Sequence, residues 1–140
     1  MFRSMAAWLT ALTIAGCAGL PGDGDVMAQV TGSISYRERI ALPPAAVVTV
    51  RLVDVSRADA PAILVGEQRI MSNGRQPPFA FSIPYQATGI DPRASYAVQA
   101  RIEDGERLLF ISDRHYPVVT RGSPTSVDLV LKQVPRRPPR

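Results

Sequence analysis

Two residue types in this chain are suited to strong nucleophilic or metal-seeking chemistry, and each occurs once: Cys17 and His115. A single cysteine cannot close an intramolecular disulfide, so packing alone must hold the folded part. A single histidine rules out a histidine-based metal cluster, and zinc would need carboxylates instead. Asp113 lies two residues before His115, and Ser112, Ser123 and Ser126 are close in sequence. None of these serines sits in the G-x-S-x-G turn that exposes a nucleophile. Paired-carboxylate hydrolysis needs two acids in unlike environments across a cleft. Asp54, Asp59, Glu67, Asp91, Glu103, Asp104, Glu106, Asp113 and Asp128 fall instead at turns or on outward strand positions, where water solvates them. No glycine loop leads from a strand into a helix to cradle a phosphate. The expectation is a non-enzyme with no metal and no cofactor.

Cys17 points to a different chemistry. In MFRSMAAWLTALTIAG, residues 1–16, Arg3 precedes an apolar stretch from Met5 to Ala15. That is the length of a secretory signal and too short to span a bilayer comfortably. Ile14-Ala15-Gly16-Cys17 resembles the bacterial lipobox, in which an aliphatic residue and two small ones precede the cysteine. The thiol takes up a diacylglyceryl group, and the small residues let the signal peptidase reach the bond between Gly16 and Cys17. The freed amine of Cys17 then takes a further acyl chain, such as palmitate. Stable anchoring needs two membrane signals, and such a cysteine supplies them. Ala18 follows it, not the aspartate that retains enteric-type lipoproteins in the inner membrane. The expected organisation is a lipoprotein signal peptide (1–16), a flexible lipid tether (17–25) and a folded domain (26–134), with a disordered basic Pro/Arg tail (135–140). The domain would hang from the outer membrane into the periplasm.

The elements of that domain read as strands. VTGSISYR puts Val30, Gly32, Ile34 and Tyr36 on one face, and VVTVRLVDV puts Val48, Val50 and Leu52 on one face. AILVGEQRIM and FAFSIPY follow, separated by the Asn73-Gly74 turn and a proline pair. Phe79, Phe81, Ile83 and Tyr85 alternate, and Pro84 marks an edge position. SYAVQARIED alternates Tyr96, Val98, Ala100 and Ile102 against polar residues, and Asp104-Gly105 turns it into ERLLFIS. SVDLVLKQV closes the set, with Val127, Leu129 and Leu131 on one side. Seven such strands without an amphipathic helix predict an all-β, antiparallel β-sandwich. The net charge of +4 comes from 15 arginines and Lys132, scattered singly apart from RRPPR. That dispersion, without a basic helix or an RNA-binding aromatic motif, argues against nucleic acid as a partner. Arg37, Glu38 and Arg39 precede a Pro-Pro turn, and salt bridges, with Asp54 or Asp59 as available partners, or turn geometry account for these charges better than ligand contact does.

The combination of segments resembles the YbaY/YscW family of bacterial lipoproteins. It rests on VTGSISYRERIALPPAAVVTVRLVDVSRADAPA (residues 30–62), FSIPY, IDPRASYAVQARIEDGERLLFISD and YPVVTRG, all in order. The resemblance implies a small β-sandwich tethered to the outer membrane. The YscW branch consists of pilot proteins of type III secretion, which bind secretin subunits near their C-terminus. The sequence looks closer to the YbaY branch.

Two functional readings follow. The first is a binding or assembly-assisting lipoprotein, with a secretin or another envelope protein as partner. Phe79, Phe81 and Tyr85 are candidate contacts, though a core role suits them better. The second is an envelope structural protein that binds polysaccharide or peptidoglycan, with Tyr36, Tyr96 and Tyr116 as its available rings. Two aromatic rings exposed on one face would favour the glycan. An apolar groove beside an open strand edge would favour the peptide.

Overall fold

The computed structural model describes residues 26–136. The expected signal peptide and tether, Cys17 with them, and residues 137–140 of the expected tail lie outside them. The described chain forms eight strands: β1 Met27–Tyr36, β2 Val47–Asp54, β3 Ile63–Met71, β4 Phe79–Gln86, β5 Tyr96–Asp104, β6 Arg107–Ile111, β7 Pro117–Val118 and β8 Ser126–Gln133. Its only helical element among these residues is the 3-10 turn Ala87–Gly89.

The strands hydrogen-bond in the order β3-β2-β5-β6-β8-β1-β4, with the short β7 on β5. The expected all-β fold is present, with its inward faces where alternation puts them. Val30, Ile34, Val48, Val50, Leu52, Ile83, Ile102 and Leu129 are sealed from solvent. Phe79, Phe81 and Tyr85 are also core residues, which ends their candidacy as exposed contacts. One feature departs from the antiparallel expectation: β1 and β8 run parallel, Gly32 opposite Val127. Alternation reads the same in either direction, so strand orientation cannot be taken from it.

The sheet curls until its two end strands face each other, giving a nearly closed barrel. At this β3–β4 seam the backbone N–H of Ser82 donates to Gln68 Oε1 at 2.7 Å. A Cβ on Gly66 would lie 2.6 Å from Ile83 Cγ2. The absence of a side chain on Gly66 lets the two edges meet. Even-numbered backbone groups of β4 point to the seam, so Pro84 lacks its N–H on the side without a ladder, as an edge proline should.

A second gap is closed by a side chain. β6 meets β8 only at Phe110–Gln133 and Ile111–Lys132. Further along, the Tyr116 hydroxyl donates to Val130 O at 3.2 Å and accepts from Val130 N at 3.1 Å. One phenol thus satisfies both backbone groups that a neighbouring strand would have taken. Tyr116→Phe keeps the ring and should destabilise the fold by about 1–2 kcal/mol, because the freed backbone groups are partly buried. Urea unfolding of the two proteins would measure it.

The turns refine the expected ones. Asn73 (φ 49°) and Gly74 (φ 81°) are the centre of a turn closed by Arg75 N–H to Ser72 O at 2.8 Å. The β5–β6 hairpin pairs Asp104 with Arg107. Its two-residue loop is therefore Gly105-Glu106, with glycine first at φ 61°, not Asp-Gly. In YPVVTRG, Val119 adopts φ 73° in a three-residue turn closed by Thr120 N–H to Val118 O at 2.8 Å.

Candidate functional site

The two ends of the barrel have different characters. β1 enters at one end through Val26 and Met27, level with Gln86, and leaves at the other through Tyr36. Ten strand residues span roughly 33 Å. At the exit end lies a groove of about 800 Å³. Its walls are Ile40–Pro43 after β1, Glu106–Phe110 of the β5–β6 hairpin, and Gln133–Arg136 after β8.

Each wall is held for a local reason. Tyr36 stacks on Phe110 with ring centroids 4.1 Å apart and planes 14° from parallel. Its hydroxyl donates to Ile40 O at 2.6 Å, which fixes the loop carrying Ile40. Leu42 N–H donates to Gln76 Oε1 at 2.8 Å, and Gln76 Nε2 donates back to Leu42 O at 3.3 Å. Ser72, fully buried, donates its hydroxyl to the carbonyls of Pro43 and Pro44. On the opposite wall Val134 N–H donates to Leu109 O at 2.9 Å, the last bond before β6 runs on past the end of β8. Arg107 and Leu108 therefore present an open strand edge beside the groove. Ile40 stands 48% exposed on the rim, a large apolar side chain facing water. Arg107, Glu106 and Arg136 place charge around it.

Burial first, and then the nearby Glu38 carboxylate, push the Tyr36 phenol above its usual range. One oxygen of Glu38 is itself closed off from solvent without a partner. A raised phenol pKa means the neutral, hydrogen-donating form is favoured by folding. That contribution is complete below about pH 10 and is lost as pH rises through the raised folded value. Wild-type protein should therefore lose more stability on that alkaline limb than Tyr36→Phe does. Chemical denaturation across the alkaline range would test this.

The chemistry considered for His115 is not assembled. His115 and Asp113 are exposed, and Asp113 lies 3.9 Å from Lys132. The Ser112 hydroxyl instead accepts from Ala100 N–H at 3.1 Å. Among the described residues no group of three His, Cys, Asp or Glu converges to hold a metal. The pairing considered for Arg37, Glu38 and Arg39 with Asp54 or Asp59 does not form, because β2 carries Asp54 to the opposite end of the barrel. The shortest charged pairs among the described residues are instead Arg51–Glu67 at 2.6 Å and Arg101–Glu103 at 3.1 Å, on the outer sheet face. Asp54 accepts from the Ser56 hydroxyl and backbone N–H, which holds its carboxyl below its usual range. Tyr36 and Tyr116 are half-buried and Tyr85 and Tyr96 are buried, so no described aromatic ring stands exposed.

The described residues form a barrel-like β scaffold with a largely apolar groove beside an open strand edge at one end, an architecture suited to binding. Over residues 25–131 the chain matches the family described as "Type III secretion system lipoprotein chaperone (YscW)", and it belongs to that family. The family is one of secretion lipoprotein chaperones, not of enzymes. The chain is 37% identical over 105 residues to the "Uncharacterized lipoprotein YbaY" of Escherichia coli (strain K12), covering 75% of this chain. The match spans 55% of that relative's length. It is also similar to a solved structure, that of an alternative pilotin from the type II secretion system of Vibrio cholerae. The TM-score there is 0.76 at 45% identity, over 79% of this chain and 99% of the other.

Of the groove residues, the sequence singled out Glu106 alone, and as a solvated acid, not as part of a binding surface. Ile40, Leu108 and Val134 belong to three distant segments, and only the hairpin expected at Asp104-Gly105 hinted at where one wall begins.

Proposed function

We propose that this chain is a pilotin-like lipoprotein, anchored through acylated Cys17 in the outer membrane with its domain in the periplasm. Its groove takes an apolar peptide segment of a secretin or a comparable envelope protein. The observation that carries this reading is the apolar groove of about 800 Å³ beside the unpaired edge at Arg107 and Leu108. Such a site offers both modes of peptide recognition, side chains into an apolar trough and backbone bonds to a strand edge. Its position at the end away from Val26 suits a tethered module, since the anchor would leave the groove facing the periplasm. The similarity to a pilotin at 45% identity supports the class of partner. The glycan-binding alternative loses its supporting feature, because no described aromatic ring is exposed.

The test is cross-linking capture from intact cells, with partners identified by mass spectrometry. Wild type is expected to recover a secretin. Ile40→Glu combined with Leu108→Glu places two charges in the groove and should lower recovery at least about tenfold, the cost of desolvating charges in an apolar contact. Both positions are partly or well exposed, so the melting temperature should barely change. Undiminished capture by the double variant would overturn the groove assignment, and recovery of glycan fragments alone would revive the alternative.

A further inference from the structure

The end of the barrel remote from the groove carries its own apolar surface. Val26 is 61% exposed, Met27 57%, Ile63 59% and Leu64 54%, with Val65 also exposed. These residues come from two strands that are not bonded to each other, and register brings them together. Met27 pairs with Gln86 at the foot of β4. β3 approaches β4 antiparallel across the seam, with Gln68 against Ser82 and Gly66 against Ile83 and Pro84. The same progression sets Leu64 about level with Gln86, so Met27 and Leu64 flank one strand end.

The presentation of β3 there is a local consequence of its bulge. Leu52 pairs with Gly66 and Val53 with Leu64, leaving Val65 as the extra residue. The slip turns Leu64 onto the outer face beside Val53, where Ala97 and then Pro117 continue an apolar row across β2, β5 and β7. Val53 and Ala97 are covered, and the two ends of the row, Leu64 and Pro117, are exposed.

We infer that this end, with Met27, Ile63, Leu64 and Val65 at its surface, rests on the bilayer into which Cys17 is anchored. The inference builds on the lipid-anchor reading above. Nine residue steps separate Cys17 from Val26. At full extension they reach about 32 Å, so Val26 cannot leave the neighbourhood of the membrane. Apolar side chains held near a bilayer by a covalent lipid partition into its headgroup and acyl boundary, and a second weak contact then acts at high effective concentration. The result is a fixed orientation: anchor end on the lipid, groove end outward, the barrel length between them.

Tryptophan quenching by brominated phospholipid would test this on the mature lipoprotein, purified from membranes and reconstituted in phosphatidylethanolamine–phosphatidylglycerol vesicles. The sequence holds one tryptophan, Trp8, which lies in the segment that cleavage before Cys17 would remove. Leu64→Trp and Met27→Trp should each be quenched several-fold more strongly than Ile40→Trp at the groove. Two reporters on different strands guard against a local folding defect in one. Equal, weak quenching at all three sites in protein carrying its acyl mass would overturn the inference while leaving the anchor intact. Weak quenching accompanied by dimers in light scattering would assign the surface to a second copy, which also overturns it. Protein recovered without acyl mass, with Trp8 still present, would defeat the anchor reading and this inference with it.

Discussion

Gly32→Ala is expected to cost at least about 3 kcal/mol, a large part of the net stability of a domain this size. The cause is backbone, not side chain. Gly32 lies on the inward face of β1 between Val30 and Ile34, opposite Val127 of β8 in the parallel pair and Phe81 of β4. A Cβ there would fall 1.7 Å from the Val127 carbonyl oxygen and 2.9 Å from Phe81 Cε1. A flexible side chain could turn away from such a contact. A carbonyl inside a paired strand cannot, so β1 and β8 must separate along the one parallel ladder that joins the ends of the chain. A fall in melting temperature of roughly 10–20 °C should follow. Gly89→Ala is the matched control, since its nearest neighbour would be Gln86 Cβ at 3.9 Å. Circular dichroism melts of both variants decide the matter: if Gly32→Ala melts with Gly89→Ala, the close approach of β1 and β8 is wrong.

Cys17→Ala should move the protein from the membrane to the soluble fraction. Each buried methylene of an acyl chain contributes about 0.8 kcal/mol, so one chain gives only marginal binding, whereas two or more hold a protein durably. On the proposed lipid-anchor reading, the substitution removes the site that would take the diacylglyceryl group. Fractionation of cells by ultracentrifugation, with immunodetection of the chain, would show nearly all of the variant in the supernatant. The variant should retain its melting temperature, because Cys17 precedes the first strand by ten residue steps. A variant that stayed in the membrane fraction with residues 1–16 removed, as its mass would show, would mean that another contact, not the lipid, carries the attachment.

The strands and their buried faces were readable from sequence, because a two-residue period separates inside from outside regardless of what the strand pairs with. Phe79, Phe81, Ile83 and Tyr85 alternate in sequence and are all core. Turn chemistry was equally local: Asn73-Gly74 and Gly105 take the positive φ that their types allow. Family membership was also legible, from segments such as FSIPY and IDPRASYAVQARIEDGE taken together. Other features depended on residues far apart in the chain. The parallel β1–β8 pair joins the first strand to the last, and alternation carries no direction. β7 is two residues long, below any periodic signal. The Gly32 and Gly66 approaches depend on which strands meet there, and a lone glycine in a strand announces only that something comes close. The groove is the clearest case, since Ile40, Leu108 and Val134 form one surface only once β6, β8 and β1 lie side by side. Local propensity and periodicity decided the elements; long-range strand pairing decided where an apolar surface was left open to a partner.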